Sequence, residues 1–271
     1  LNSFFLKTNW LISIISFFQK KKVILFTRGE LEQGALDTGI KFKSFFAFIL
    51  AKLVYSKIYG FIATSRKEFK SKNIFLNNKI NLIIPNYFKS NYIPPFTINK
   101  KDFIYLGRIH PKKNLEIMIN SFYQFLKLNN SNDRLLIYGN GEAKYIKRLK
   151  EIISFYNVEN KIIFKGPVFG HKKYNILSSH KALILLSKSE NFGNVILESL
   201  YSGTEVLLTN NLPWPNESFI HKVKPKLNEI SLKINEISKK NIFKPEICNK
   251  FIVNKFMNLK IIDELNKYLD E

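Results

Sequence analysis

The sequence predicts an α/β protein in which parallel sheets are flanked by helices, divided into two domains. Short apolar runs alternate with segments whose apolar residues recur at helical spacing over most of the 271 residues. This alternation is typical of parallel sheets. A polar stretch with two prolines, 89–101, interrupts it and indicates a linker. We therefore expect one domain over 1–95, a second over 96–250, and a carboxy-terminal helix over 251–271 that packs back on the first domain.

In the first domain, apolar spacing predicts helices over 1–20 and 43–59. A further helix is expected to begin near Arg66, with Ser65 as its cap. Strands are expected at 23–26, 60–65 and 81–86, and Pro85 ends the last of them.

In the second domain, strands and helices alternate more clearly. The expected strands are 103–106, 134–138, 161–164, 182–186 and 205–209. The expected helices are 114–128, 142–156, 172–180 and 194–202, followed by one or two amphipathic helices within 245–269. Sheets of this kind place their ligand at the carboxyl ends of the strands, which is where the polar loops of this chain fall.

The net charge of +22 comes almost entirely from lysine. One interpretation is attraction to anionic partners such as a membrane face, lipid phosphates or nucleotides. The other is an AT-rich genome, in which Lys, Asn, Ile and Phe rise together. Nucleic acid is not an expected partner, because arginine is scarce and base or bidentate phosphate recognition favours arginine.

The remaining composition excludes several classes of protein. Cys248 is the only cysteine, which rules out an internal disulfide and fits a reducing cytoplasm. One cysteine and scattered histidines argue against a structural zinc site. The most apolar stretch, 10–18, is far shorter than the roughly 20 residues of a spanning helix, so we expect a buried helix or, second, a membrane-surface helix.

The first candidate loop follows strand 103–106 and contains Gly107, Arg108 and Lys113. Glycine lets a bound group approach the backbone, arginine can fork onto phosphate oxygens, and lysine adds a point charge. The alternative is a simple turn with solvated lysines. The second candidate loop, with Gly139 and Asn140, follows strand 134–138 and suits a tight strand-to-helix turn, with or without a ligand.

The third candidate loop is the most specific. It runs from strand 182–186 into helix 194–202 and places Glu190 in the loop and Glu198 about one turn into the helix. Carboxylates accept hydrogen bonds from vicinal sugar hydroxyls, and amides at the helix start offer an anion site. The alternative makes Glu190 a surface residue and Glu198 the partner of a nearby cation.

These loops, in this order and each after a strand, resemble the family 4 glycosyltransferases. The resemblance covers roughly 23–214 and rests on Gly107-Arg108 with Lys113, Gly139-Asn140-Gly141-Glu142, Phe164-Lys165-Gly166, and Glu190 through Glu198. It implies the GT-B fold, with two Rossmann-like parallel-sheet domains of which the amino-terminal one is partial. It also implies retention of configuration at the anomeric carbon.

The resemblance implies a role for each matching residue. Arg108 and Lys113 would hold the donor diphosphate, beside Gly107, Gly139 and Asn140. Glu190 would contact the donor sugar and Glu198 the nucleotide ribose, while Asn194 and Val195 would supply amides near the phosphates. No cofactor and no metal are implied, since these cations and the helix dipole neutralise the leaving diphosphate.

The resemblance also concerns Arg28. Segment 23–36 is similar to a branch of the family that acts on bacterial surface polysaccharides, and Arg28 stands where many relatives carry a histidine near the reacting sugar. It would stabilise the leaving phosphate or the acceptor, or else be a buried structural arginine. The chain departs from the family at Thr204-Glu205, where a proline is common, and after Trp214, where we expect strands to be compressed or absent.

We therefore expect a cytoplasmic glycosyltransferase, peripheral on the inner membrane face, of bacterial polysaccharide or lipopolysaccharide synthesis. Its substrates would be a nucleoside-diphosphate sugar and a lipid-linked or polysaccharide acceptor. The alternatives are a silent truncated remnant or donor-binding partner subunit and, third, a GT-B sugar-nucleotide epimerase.

Overall fold

The structure is a computed structural model that describes residues 1–28, 30, 45, 49, 52–55, 58–72, 80–84, 88–190, 192–240 and 244–257. The chain divides into two compact units. The first unit contains the described residues before Phe88, together with Ser189, Glu190 and Phe192. The second unit contains Phe88–Lys188 and Gly193–Met257.

The described part of the first unit holds a parallel sheet of three strands in the order β1-β2-β3. The strands are β1 Ile24–Phe26, β2 Gly60–Ala63 and β3 Ile80–Ile83, and the helices are α1 Lys7–Phe18 and α2 Arg66–Lys72. Its core contains Phe4, Leu25, Tyr55, Ile58, Phe61 and Ala63. The predicted strands at 23–26, 60–65 and 81–86 are therefore present.

The predicted first helix is too long at its start. Residues 1–6 are not helical, and the first three lie beside β1: Phe26 N donates to the Leu1 carbonyl at 2.8 Å and Ser3 N to the Phe26 carbonyl at 2.7 Å. A short apolar run fits a strand as well as a helix, so periodicity alone cannot place this boundary.

Ser65 caps α2, as predicted. Its hydroxyl accepts from the Glu68 amide at 3.1 Å. The fully buried Glu68 carboxylate accepts from Thr64 N at 2.9 Å and from the Thr27 hydroxyl. Because Thr27 follows β1 and Thr64 follows β2, this carboxylate ties the carboxyl ends of two strands together.

Several expectations fall outside the described residues. They are most of the helix over 43–59, Pro85 and Asn86 after β3, Asn191 in the third loop, and 258–271 of the carboxy-terminal helix.

The second unit contains a parallel sheet of six strands in the order β6-β5-β4-β7-β8-β9. Its strands are β4 Lys101–Leu106, β5 Leu135–Tyr138, β6 Ile162–Gly166, β7 His180–Leu185, β8 Glu205–Thr209 and β9 Ile220–Val223. Its helices are α3 Leu115–Asn129, α4 Ala143–Phe155, α5 Lys172–Ser178, α6 Asn194–Tyr201, α7 Leu227–Ser238 and α8 Pro245–Phe256. The core is aromatic around Phe103, whose ring centroid lies 5.7 Å from that of Phe122.

The expectation of compressed or absent strands after Trp214 is wrong. Strand β9 pairs in parallel with β8, and α7 packs against α3. The middle residues of β9 are His221 and Lys222, which interrupt the apolar run by which an edge strand is recognised.

The strand order indicates at which edge of this sheet a ligand could bind. From β4 the chain continues to β5 on one side, whereas β7 lies on the other side and leads to β8. Parallel sheets bind ligands in the crevice at such a switch point, outside the carboxyl ends of the strands. The loops that begin at Gly107, Gly139 and Leu186 all leave this edge.

Candidate functional site

The loops after β4 and β5 contact each other through backbone alone. Gly107 N donates to the Tyr138 carbonyl at 3.0 Å and Ile109 N to the Asn140 carbonyl at 2.8 Å. A Cβ on Gly139 would lie 1.9 Å from the Gly107 carbonyl oxygen, and one on Gly141 would lie 2.0 Å from the Ile109 carbonyl oxygen. The two glycines are thus required by the neighbouring loop, in addition to any turn they form.

Tyr105 holds the Arg108 backbone in place. The tyrosine ring is fully buried in β4, and its hydroxyl donates to the Arg108 carbonyl oxygen at 2.6 Å. The Arg108 side chain is exposed. A rigid backbone therefore presents a solvent-accessible guanidinium at the end of the central strand.

The segment after β6 forms an apolar wall. Gly139 N donates to the Gly166 carbonyl at 2.9 Å, which brings the start of this segment beside the second loop. Pro167, Val168 and Phe169 follow, and the Phe169 side chain is 76% exposed. Such a wall can cover one face of a flat ring.

The start of helix α6 lies beside the loops after β4, β5 and β6. Gly193 is its N-cap with φ +77°, a conformation that favours glycine, and glycine has no side chain with which to cap the first turn. The first amides of a helix have no partner within it, and the helix dipole adds positive potential there. The start of α6 can therefore bind an anion.

These elements enclose a cavity of about 270 Å³ within the second unit. It is lined by the loops after β4, β5 and β6 and by the starts of helices α5 and α6. The lining residues are Leu106, Gly107, Arg108, Gly139, Asn140, Pro167, Val168, Phe169, Lys173, Val195 and Glu198.

Six residues of the site predicted from sequence meet in this cavity: Gly107, Arg108, Gly139, Asn140, Val195 and Glu198. Asn194 is exposed at the start of α6, one residue before the lining.

Lys113 is half-buried at the end of a 3-10 helix, Pro111–Lys113, and does not line the cavity. Lys188 N donates to the carbonyl oxygen of the neighbouring Lys112 at 3.0 Å, which joins the first loop to the loop after β7.

The two residues predicted to be catalytic group with the first unit. Glu190 is half-buried, and the cavity lining does not include it. Arg28 is exposed, with φ +49° and its Nε 3.2 Å from Asn2 Oδ1. The alternative of a buried structural arginine at position 28 is therefore wrong.

Sequence reasoning missed Lys173. Its Nζ donates to Glu198 Oε1 at 2.5 Å, and the two side chains are 24% and 17% exposed. The cationic partner that the alternative interpretation of Glu198 expected is therefore present, and the same residue lines the cavity. Its contact with a ribose stays a prediction. Nothing marks Lys173 in the sequence, where it is one lysine among many near the start of a helix.

Two features are absent from the described residues. None of their helices is both long enough and apolar enough to cross a bilayer. They contain no group of three or more His, Cys, Asp or Glu side chains placed to hold a metal ion.

The chain is similar in sequence to known sugar-transferring enzymes. In sequence, the chain is 26% identical over 138 residues to alpha-1,3/1,6-mannosyltransferase ALG2 of Dictyostelium discoideum, covering 45% of this chain and 33% of that protein. It is 28% identical over 124 residues to alpha-monoglucosyldiacylglycerol synthase of Streptococcus pneumoniae, covering 46% of this chain and 27% of that enzyme. The matched stretch therefore spans about a third of these curated relatives.

In structure, the chain is similar to Anabaena Alr3699/HepE, solved in complex with UDP and glucose. The TM-score is 0.81 at 17% identity, over 97% of this chain and 76% of that one. This likeness confirms the predicted α/β architecture with parallel sheets and the GT-B fold. The family model for glycosyl transferases group 1 matches residues 89–255, which include every loop of the cavity. The chain belongs to the group 1 glycosyl transferases.

Proposed function

We propose that this chain binds a nucleoside-diphosphate sugar in the cavity of its second unit and transfers the sugar to an acceptor with retention of configuration. The observation that carries the proposal is that Arg108, Val195 at the start of α6, and Glu198 line one cavity. A cation, a helix amino terminus and a carboxylate are the three groups that diphosphate and ribose require.

The diphosphate is assigned to Arg108 and the first turn of α6. An exposed guanidinium can make two parallel hydrogen bonds to phosphate oxygens. The amides near Asn194 and Val195 add donors and the positive end of the helix dipole. Together they stabilise the negative charge that develops on the leaving diphosphate as the glycosidic bond breaks.

The nucleoside is assigned to the other side of the cavity. The Glu198 carboxylate accepts hydrogen bonds from the ribose hydroxyls. The base lies against Pro167, Val168 and Phe169, because a flat apolar ring gains from contact with an exposed aromatic side chain.

The remaining roles rest on the resemblance of the loops. Glu190 contacts the donor sugar, Lys113 adds a cation for the diphosphate, and Arg28 acts on the leaving phosphate or the acceptor. Both Arg28 and Glu190 belong to the first unit.

The acceptor is proposed to be lipid-linked or a polysaccharide of the bacterial cell surface, used at the inner membrane face. One of the similar enzymes is named for a diacylglycerol acceptor. Helix α1 exposes large apolar side chains, such as Leu11 at 60% and Phe18 at 78%, and Lys20, Lys21 and Lys22 follow it. The net charge of +22 favours an anionic surface.

The test of the enzyme activity is donor hydrolysis and sugar transfer by the wild type, Glu190→Ala and Lys113→Ala. Lys127→Ala is the control, since Lys127 is exposed on α3. We expect both site variants to lose at least tenfold in rate and the control to keep it. Full activity of both site variants would refute their assignment.

The test of the cavity is calorimetric titration with UDP, GDP and their glucose and mannose conjugates. Arg108→Ala should weaken binding by roughly tenfold to a hundredfold, the range for a lost hydrogen bond to a charged group. Arg148→Ala, which removes an exposed arginine from α4, should leave it unchanged. Binding without any turnover would favour a silent donor-binding subunit.

A further inference from the structure

The Glu198 carboxylate is held by a single cation. Lys173 Nζ lies 2.5 Å from Glu198 Oε1, and both residues line the cavity. Within the part of the chain that the structure describes, no other group donates to this carboxylate. Among the described residues, Oε1 accepts this hydrogen bond and Oε2 accepts none.

Lys173 is itself anchored. Its Nζ lies 5.1 Å from the centroid of the Tyr174 ring, within the range of a cation–π contact. Tyr174 is buried, and its ring stacks on Tyr92 at 5.9 Å and meets Tyr201 edge-on at 6.0 Å. The side chain of Lys173 is only 24% exposed, so its ammonium group is held against Glu198 rather than swinging in solvent.

This ion pair leaves acceptor sites on the Glu198 carboxylate for the two hydroxyl groups of a diol. An ionised carboxylate offers about four lone-pair sites on two oxygens. An ammonium on Oε1 fixes the side-chain rotamer and leaves Oε2, with the free lone pair of Oε1, for two hydroxyl donors. A glutamate without such a partner would lose rotamer freedom each time it engaged a ligand.

We propose that Lys173 is a positioning residue that fixes Glu198 for the ribose diol and thereby sets selectivity for ribonucleotides over 2′-deoxyribonucleotides. The proposal rests on the proposed function, because it needs a nucleotide in this cavity. Lys173 acts through Glu198 and is not assigned to the phosphates.

The experiment measures the Kd of UDP and of 2′-deoxy-UDP, and of the matching GDP pair, by calorimetry on the full chain. The wild type should prefer the ribonucleotide by roughly tenfold or more, the value of a hydrogen bond to a charged acceptor. Lys173→Met should reduce this preference to within about threefold, with the loss falling on the ribonucleotide. The control is Lys172→Met, which removes an exposed charge from the preceding residue and should keep the preference.

Two further variants separate positioning from a structural role. Lys173→Arg keeps a cation beside Glu198 and should recover most of the ribose preference. Glu198→Gln should lose the ribose preference. Adding Lys173→Met to Glu198→Gln should change the two affinities little further, because the two residues act as a unit.

Three results would overturn the inference. An unchanged or larger ribose preference in Lys173→Met would show that Glu198 needs no partner. An equal loss of affinity for both nucleotides, growing as salt is lowered, would assign Lys173 to the phosphates instead. Binding of no nucleoside diphosphate by the wild type would overturn the proposed function, and the inference with it.

Discussion

Lys100 Nζ donates to Thr204 Oγ1 at 2.8 Å, which places a partly buried ammonium group beside the start of β8. The same nitrogen donates to the Ser178 carbonyl oxygen at 2.8 Å. Burial lowers the pKa of Lys100 from its ordinary value of 10.5 to about 8, while the nearby Cys248 and Glu205 oppose that shift.

This lowered pKa predicts a stability that rises with pH. Between about pH 8 and pH 10.5 the unfolded chain keeps the Lys100 proton and the folded chain has lost it, so raising the pH favours the folded state. Relative to Lys100→Met, the wild type should gain about 2 kcal/mol in free energy of unfolding between pH 7 and pH 9.5.

The measurement is urea unfolding at several pH values. Lys101→Met is the control, because Lys101 is exposed and should show no such gain. A difference between wild type and Lys100→Met that stays constant with pH would contradict the lowered pKa.

The contact between the first two loops predicts that Gly139→Ala strongly destabilises the protein. The new methyl group would lie 1.9 Å from the Gly107 carbonyl oxygen, so one loop must move. We expect a loss of about 3 kcal/mol in stability, within the range for strong overpacking, together with loss of nucleotide binding. Gly170→Ala meets no neighbouring atom and should cost only the strain of its positive φ, roughly 1 kcal/mol. Equal stability of the two variants would show that the loops can separate freely.

Removal of the Tyr105 hydroxyl should have a milder effect on stability and on nucleotide affinity. Tyr105→Phe leaves the Arg108 carbonyl without its donor, at a cost of about 1 kcal/mol in stability. Nucleotide affinity should fall several-fold, because Arg108 is then held less firmly. Tyr123→Phe provides the control, since that ring stacks on Tyr156 on helices outside the cavity. Unchanged affinity in Tyr105→Phe would show that the loop is rigid without this hydrogen bond.

Substitution of Glu205, which does not line the cavity, should lower the stability of the protein strongly. Its side chain is 2% exposed, lies 2.8 Å from His221 Nε2, and also accepts from Lys240. Glu205→Gln takes the charge from an acceptor that serves both His221 and Lys240, so it should lower the free energy of unfolding by roughly 2 kcal/mol, the scale of a hydrogen bond to a charged group. Glu236→Gln breaks an exposed pair with Lys233 and should stay within about 0.5 kcal/mol. Chemical denaturation measures both, and similar midpoints would argue against a charged pair at Glu205.

The sequence predicts this fold well where the signal is local. The alternation of apolar runs locates β4 through β8, and Ser65 just before Arg66 predicts the capped start of α2. Because parallel strands end at a common edge, the loops at Gly107 and Gly139 could be expected to meet.

Non-local features could not be read in the same way. The close approach of Gly139 to Gly107 depends on a partner loop more than 30 residues away, so the sequence indicates only a turn, with or without a ligand. The pair of Lys173 and Glu198 joins two helices that no spacing rule connects. Strand β9 depends on pairing with β8, which outweighs the polar residues at its centre.

The pairing of β4 with β7 has a consequence for how this molecule folds. Phe103 lies opposite Ala182 and Ile104 opposite Leu183, although two other strands and three helices intervene along the chain. Closing so long a loop costs entropy before any contact repays it, which slows the rate-limiting step. The cavity begins at the end of β4, so under the proposed function a chain still emerging from the ribosome would bind no nucleotide until α6 has been synthesised. A bound nucleotide would then act chiefly by slowing unfolding of the completed unit.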